Sequence, residues 1–226
     1  MRNIAIIPAR SGSKGLKDKN IKLLNGKPLI EYSIVAAQES ELFDEIMVST
    51  DSEKYAEIAR ECGAKVPFLR SEGTSSDLAG SWDVVIEVLE NYRKQGKVFD
   101  TVCLLQPTSP LRTASDIING YTQLRIKEAD FVTSMSECEH SPLWTTVLDD
   151  TLSLSDFKKK VKEMPRQKLQ SYYRINGALY IRRIEYYKEK IILKNDKEFA
   201  YIMDKERSVD IDTEFDFIIA EALIKR

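Results

Sequence analysis

Two rhythms of apolar residues run through this chain. Asn3 to Pro8 is almost continuously apolar, as expected of a central strand covered on both faces, and Glu45 to Thr50, Thr101 to Leu105 and Phe131 to Ser136 are further short strand-like runs. Between them the spacing turns helical. Ile30, Ile34 and Ala37 share one face, and Tyr55, Ile58, Ala59 and Cys62 share another, with Ser52 as a candidate N-cap and Gly63 as the stop. Trp82, Val85, Ile86 and Leu89 stand at i, i+3, i+4 and i+7 within Ser81 to Tyr92. Thr113 with Asp116 three residues on predicts a capping box that opens a helix to about Leu124. Strand and helix alternate as far as Glu137, which predicts an α/β fold with a mainly parallel central sheet flanked by helices.

After Glu137 the alternation stops. Residues 137–173 show no single period and carry the basic run Lys158 to Lys162, so they are expected to form an excursion, either a small inserted subdomain or an arm reaching another subunit. The strand pattern returns at Ile175 to Ile181 and again at Phe199 to Met203. A helix over Thr213 to Arg226 closes the chain, with Phe215, Ile218, Ile219, Ala222 and Leu223 as its predicted apolar face. The expectation is one domain over 1–226, with 137–173 inserted in it.

Composition narrows the function classes. Lys+Arg 34 against Asp+Glu 36 gives a net charge of −2, which argues against nucleic-acid binding driven by bulk positive charge. The apolar runs fall far short of the ~20 residues of a membrane span, and no signal-peptide pattern follows Met1, so the expected location is the cytoplasm. Cys62, Cys103 and Cys138 are odd in number and far apart, which predicts core or free thiols rather than disulfides or a zinc site. His140, Trp82 and Trp144 read as structural, and Lys158 to Lys162 as a solvated face.

Four stretches carry candidate chemistry. Pro8 to Asn20 follows the first strand, where ligands of open α/β sheets bind. Gly12 and Gly15 let backbone N–H groups approach a polyphosphate, and Arg10, Lys14 and Lys19 add positive charge. The stretch is neither a Walker A loop nor a G-x-G-x-x-G fingerprint, and on spacing alone a solvated turn fits as well. Leu104 to Arg112 offers Gln106, Thr108, Ser109 and Arg112 on a loop fixed by two prolines; the alternative is a plain turn with Arg112 in solvent. Arg174 and Asn176 project from one face of a strand, and an arginine there suits bidentate recognition of a carboxylate. Asp210 and Asp212, spaced by two in an extended segment, suit a hard cation held together with phosphate oxygens; the alternative is that Asp212 only starts the last helix.

Taken in order, IPARSGSKGLKDKN, QPTSPLR, RINGALYI and SVDIDTEFD resemble the acylneuraminate cytidylyltransferases, or CMP-N-acetylneuraminic acid synthetases, over essentially the whole chain. The resemblance implies a Rossmann-like nucleotidyltransferase fold with a small inserted dimerisation subdomain. It implies transfer of CMP from CTP to the anomeric hydroxyl of N-acetylneuraminic acid, with legionaminic or pseudaminic acid as sibling acceptors. The rival from another class is a non-catalytic nucleotide-binding protein. CMP-Kdo synthetases usually end the first motif with an Arg-Leu-Pro-Gly-Lys type sequence, whereas Ser13-Lys-Gly-Leu and Lys19-Asn20 stand here, which favours a nine-carbon sugar.

By the same resemblance Arg10, Ser13, Lys19 and Asn20 hold CTP, and Arg70, Asp77 and Ser81 lie in the loop that contacts the nucleoside. Gln106, Arg166, Arg174, Asn176 and Tyr180 match sugar positions, with Ile191 and Ile192 where the family is often aromatic. Asp210 and Asp212 match carboxylates for Mg²⁺, with Mn²⁺ as the alternative, and Lys19, Arg10 and Asp212 are the implied catalytic groups. The implied partners are CTP, a nonulosonic acid and a second copy of the chain, with no nucleic acid and no membrane. Longer members carry an esterase-like domain for which 226 residues leave no room.

Overall fold

The computed structural model describes residues 1–12, 15–76, 79–155, 157 and 170–225. The leading apolar runs become strands β1 (Asn3–Pro8), β4 (Glu45–Ser49), β5 (Thr101–Leu104) and β6 (Phe131–Glu137), each largely buried. Two-residue strands β2 (Leu23–Leu24) and β3 (Lys27–Pro28) form a small hairpin turned by Asn25 and Gly26, both at positive φ as such a turn requires. Downstream come β7 (Tyr173–Tyr187), β8 (Lys190–Leu193) and β9 (Glu198–Ile202). The main sheet has seven strands in the order β4-β1-β5-β7-β6-β9, with β8 paired to β7. β1 runs parallel to β4 and β5, β9 runs parallel to β6, and β7 runs antiparallel to β5 and β6.

Both faces of the sheet's centre are covered, which is why β1 and β5 are buried along almost their whole length. On one side α1 (Leu29–Glu39), α2 (Glu53–Glu61) and α5 (Ala114–Ile126) pack on Ala5, Ile7, Val48 and Ile181. On the other, Val85, Val88, Leu89 and Tyr92 of α4 (Ser81–Lys94) cover Ile4, Ile6, Met47 and Val102. A short helix, α3 (Glu72–Ser75), precedes α4, and α6 (Glu214–Ile224) ends the described chain. The three cysteines are free thiols, Cys103 buried in the sheet. Among the described residues no helix is long and apolar enough to cross a membrane.

Local end signals behave as their chemistry demands. Thr113 Oγ1 accepts from Asp116 N at 3.3 Å while Asp116 Oδ2 accepts from Thr113 N at 2.9 Å, closing the expected capping box. Gly63 follows α2 at φ +89, as a glycine stop should, although Ser52 makes no side-chain capping bond. α6 is capped by Thr213, whose Oγ1 accepts from Asp216 N at 3.3 Å, so Asp212 is not its cap.

Three expectations need correction. α6 buries Phe217 and Ala220 against Leu16, Leu24, Leu29 and Ile211, whereas Phe215 and Ile218 of the predicted face are 70% and 58% exposed. The helix is apolar on most sides, so its period does not choose a face, and the small cluster beneath the first loop does. Trp144, read as packing, is partly exposed in a short 3₁₀ turn, Pro142–Trp144. Around it Val147 is 96% exposed and Leu152 is exposed as well. Arg112 is neither in solvent nor lining the main cleft. Ser13, Asp77, Arg166 and the run Lys158 to Lys162 lie outside the described residues.

Candidate active site

A cleft of about 590 Å³ opens beyond the carboxyl ends of β1 and β5, the place where an open α/β sheet binds its ligand. It gathers Arg10, Lys19 and Asn20 from the first loop, Arg70 and Ser81 from the segment before and at the start of α4, Gln106 after β5, and the pair Asp210 and Asp212. These eight predicted positions, more than a hundred residues apart at the extremes, therefore share one space.

The first loop is held from outside. Asp51, just past β4, accepts from Ser11 N at 2.8 Å and from Ser11 Oγ at 3.0 Å. Asn20 Nδ2 donates to the Arg10 carbonyl at 3.0 Å, so the Asn20 amide shapes the loop. Tyr55 Oη donates to Asp18 Oδ1 at 3.0 Å, and burial together with that bond raises the phenol well above its ordinary pKa. Gly15 is required by close approach: a Cβ there would meet the Asp212 carbonyl oxygen at 2.7 Å. Gly12, by contrast, faces open space.

Arg70 Nη2 donates to the Ser49 carbonyl at 2.7 Å and Nε to Ser49 Oγ at 3.2 Å; burial pulls its pKa down while Asp51 and Glu87 oppose the shift. Glu87 of α4 accepts from Ser71 N at 2.8 Å, from Ser71 Oγ at 2.9 Å and from Thr74 Oγ1. Burial works against ionisation there, but these bonds win and hold the carboxyl below its ordinary range.

On the acidic side, Ile211 is buried in the cluster under the loop and its N–H donates to the Thr108 carbonyl at 2.8 Å. Extended alternation then turns Asp210 and Asp212 toward the cleft. Burial raises the Asp210 pKa, repulsion by Asp212 adds to this, and Thr108, Lys19 and Arg174 pull the other way. Lys19 Nζ donates to the Ile211 carbonyl at 2.7 Å and to Asp212 Oδ1 at 3.0 Å, so a cation and two carboxylates meet at the mouth.

The implied sugar positions divide. Gln106 lines the cleft and touches Gly177, where an added Cβ would lie 2.7 Å from Gln106 Oε1 and 3.6 Å from Asp210 Oδ2. Gly177 sits at φ +77 in a bulge: Thr133 faces Tyr180 but Met135 faces Ile175, so four residues of β7 oppose Ser134 alone. Asn176 is 1% exposed and does not line the cleft. Its Oδ1 accepts from Ser134 Oγ at 2.6 Å and Ala178 N at 3.2 Å, and its Nδ2 donates to Ser208 Oγ at 2.9 Å. That amide joins the bulge to the segment carrying Asp210. Arg174 is exposed, with Nη2 3.3 Å from the Ser208 carbonyl. Tyr180 sits behind, against the rings of Trp82 and Phe131.

Several contributors had no signal in the sequence. Asp116, read as a capping residue, is buried and also accepts from Tyr201 Oη at 3.0 Å and from Arg207 Nε and Nη2 at 3.3 and 3.2 Å. The Asp116–Arg207 pair thus anchors the turn that leads into Asp210. Only a partner that lies 91 residues away reveals it.

Known proteins resemble this chain over all or nearly all of its length. The N-acylneuraminate cytidylyltransferase of Streptococcus agalactiae serotype V is 42% identical over 96% of this chain and 52% of its own length, so the chain spans about half the length of that relative. The CMP-N,N'-diacetyllegionaminic acid synthase of Legionella pneumophila is 36% identical over 100% of this chain and 97% of its own. A solved structure of CMP:2-keto-3-deoxy-manno-octonic acid synthetase complexed with CTP matches with a TM-score of 0.70 at 16% identity, over 100% of this chain and 99% of that one, and so shares its fold. The family model described as cytidylyltransferase matches residues 4–222, and the chain belongs to the cytidylyltransferase family.

Proposed function

We propose that this chain transfers CMP from CTP to the anomeric hydroxyl of a nonulosonic acid, with N-acetylneuraminic acid as the acceptor. The observation that carries this is the single cleft in which Arg10, Lys19 and Arg70 stand with Gln106 and the pair Asp210 and Asp212. The hydroxyl oxygen bonds to the α-phosphorus, the bond from that phosphorus to the bridging oxygen breaks, and pyrophosphate leaves with the electron pair. Asp212, the more exposed carboxylate, takes the hydroxyl proton. Arg10, Lys19 and Arg70 bind and orient the phosphates, so catalysis is positioning and charge stabilisation. Legionaminic acid is the second reading, favoured by the Legionella relative that matches at full length; pseudaminic acid is a third acceptor to be tested.

Asp210 and Asp212 fit a divalent cation. Burial and mutual repulsion disfavour the paired charges in the bare chain, which is the cost a cation offsets. Among the described residues no group of three or more His, Cys, Asp or Glu could hold a metal, so phosphate oxygens and water would complete the shell of Mg²⁺ or Mn²⁺. When bound, the ion supplies positive charge to the triphosphate.

The exposed apolar side chains Val147, Leu148, Leu152 and Leu154 are covered, in this reading, by a second copy in a C₂ dimer. Light scattering at micromolar concentration should show that dimer, and a fully active monomer would remove it.

The function is tested by pyrophosphate release with each nucleotide and each of the three acids. CTP should be strongly preferred, because a pocket that reads the cytosine edge leaves groups unpaired with another base. Equal turnover with UTP would overturn the assignment.

A further inference from the structure

Arg112 is 2% exposed, and among the described residues no carboxylate accepts a hydrogen bond from it. Its Nη1 donates to the carbonyls of Ala178 at 2.8 Å and Gln106 at 3.3 Å, its Nη2 donates to Ser33 Oγ at 2.6 Å, and its buried Nε has no partner. Ser33 Oγ also reaches the Gln106 carbonyl at 3.4 Å. The surroundings are helix α1, the loop after β5 and the bulge of β7, three segments far apart in sequence. Burial pushes the guanidinium down to about pKa 10, so it remains charged at neutral pH.

Stability alone is a poor reason for such a group. The Asp116 carboxylate favours its charge from a distance but makes no hydrogen bond to it. A buried charge is costly, and an apolar side chain of similar shape in its place is often neutral or stabilising. What the guanidinium does supply is a rigid planar fork, which fixes several carbonyls at once as an ammonium cannot. The carbonyls it fixes belong to Gln106 and to the residue after Gly177. Gln106 lines the cleft, and Gly177, next to Ala178, lies against its side chain, where an added Cβ would be 2.7 Å from Gln106 Oε1.

We infer that Arg112 is a positioning residue for the acceptor half of the site: it locks the Gln106 loop and the β7 bulge in register so that Gln106 faces the acid sugar. The inference deepens the proposed function and rests on it for the identity of the acceptor. The positioning claim itself concerns only this chain's backbone and can be read without any sugar.

The test uses Arg112→Lys, which keeps the charge but not the fork, and Arg112→Met, which keeps length without charge. In the unliganded protein, amide hydrogen exchange at Ala178 and Leu179, whose N–H groups are bonded to Asn176 and Ser134, should speed up at least tenfold in both variants while β1 and α4 stay unchanged. In pyrophosphate release, KM for the acid should rise about tenfold for Arg112→Lys and more for Arg112→Met, with CTP affinity by calorimetry changed less than about twofold. In a Gln106→Ala background the Arg112→Lys effect on the acid should largely vanish, since two residues acting through one contact are not additive.

Unchanged exchange at the bulge would overturn the inference, as would equal weakening of CTP and acid, or additive effects with Gln106→Ala. If either variant unfolds, the exchange and kinetics of the other decide. If the wild type turns over none of the acids, the functional reading falls, and the exchange measurement still decides the role of Arg112.

Discussion

On the proposed function, the nucleotide and acceptor walls of the cleft are put together differently. Arg10, Lys19 and Asn20 stand within one loop after β1, and that loop is tied down by Asp51, Tyr55 and the close approach of Gly15 to Asp212. The acceptor wall is a weave of distant segments: Gln106 and Ala178 meet through Arg112, and Asn176 joins Ser134 to Ser208. In the first wall some supports, Asp51 and Tyr55, stand outside the cleft while Lys19 and Asn20 within it also hold carbonyls, so ligand-facing and supporting groups are only partly separate. In the second they share buried hydrogen bonds, so function and stability there should fall together.

The largest separation is expected at the acidic pair. In the proposed function Asp212→Asn removes a charge that the cation on the triphosphate would need, and such losses cost on the order of 10²–10³ in kcat. Thermal unfolding should barely move, because Asp212 is exposed and Thr213 caps α6. Asp210→Asn should be as inactive yet no less stable. The Asp210 pKa is raised in the fold, so the folded chain holds more protons than the unfolded one just above the ordinary 3.8. Its contribution to stability is therefore greatest below that value and declines as pH climbs through the raised one. Denaturant unfolding at a series of pH values should show that slope flattened in Asp210→Asn. Near-normal turnover in both variants would dissolve the distinction between the walls.

Next comes Gly177→Ala in the acceptor wall. A non-glycine residue at φ +77 costs roughly 1–2 kcal/mol, and here the new methyl must also displace Gln106. Stability and KM for the acid should worsen together while CTP affinity holds. A variant that loses only stability would mean that the weave does not reach the ligand.

Smallest of all is a pair on α6. Thr213→Ala should lose about 1 kcal/mol of stability through the missing cap, with turnover within a few-fold of wild type. Phe215→Ser should change stability by less than about 0.5 kcal/mol, since the ring is exposed. A much larger loss in chemical denaturation would return Phe215 to a buried face.

Neighbouring residues were enough to read β1, β4, β5, β6, β7 and β9, the capping box at Thr113, the stop at Gly63 and the four candidate stretches. Each of these depends on contacts within about one helical turn or on simple alternation, and such contacts are written in the order of the chain. The same reading could not tell which stretches would share a cleft, and it left Arg112 open between ligand and solvent. Arg112 finds Ala178 across 66 residues and Asp116 finds Arg207 across 91, so their burial is a property of how the sheet brings β5, β7 and the segment before α6 together. Asn176 shows the same limit, since alternation placed it beside Arg174 on a ligand face, while the bulge at Gly177 drew its amide inward. For α6, residues apolar on most sides left the face to be chosen by what packed against it, the Leu16, Leu24 and Leu29 cluster. Local pattern records what a residue prefers, and long-range packing decides which preference is met.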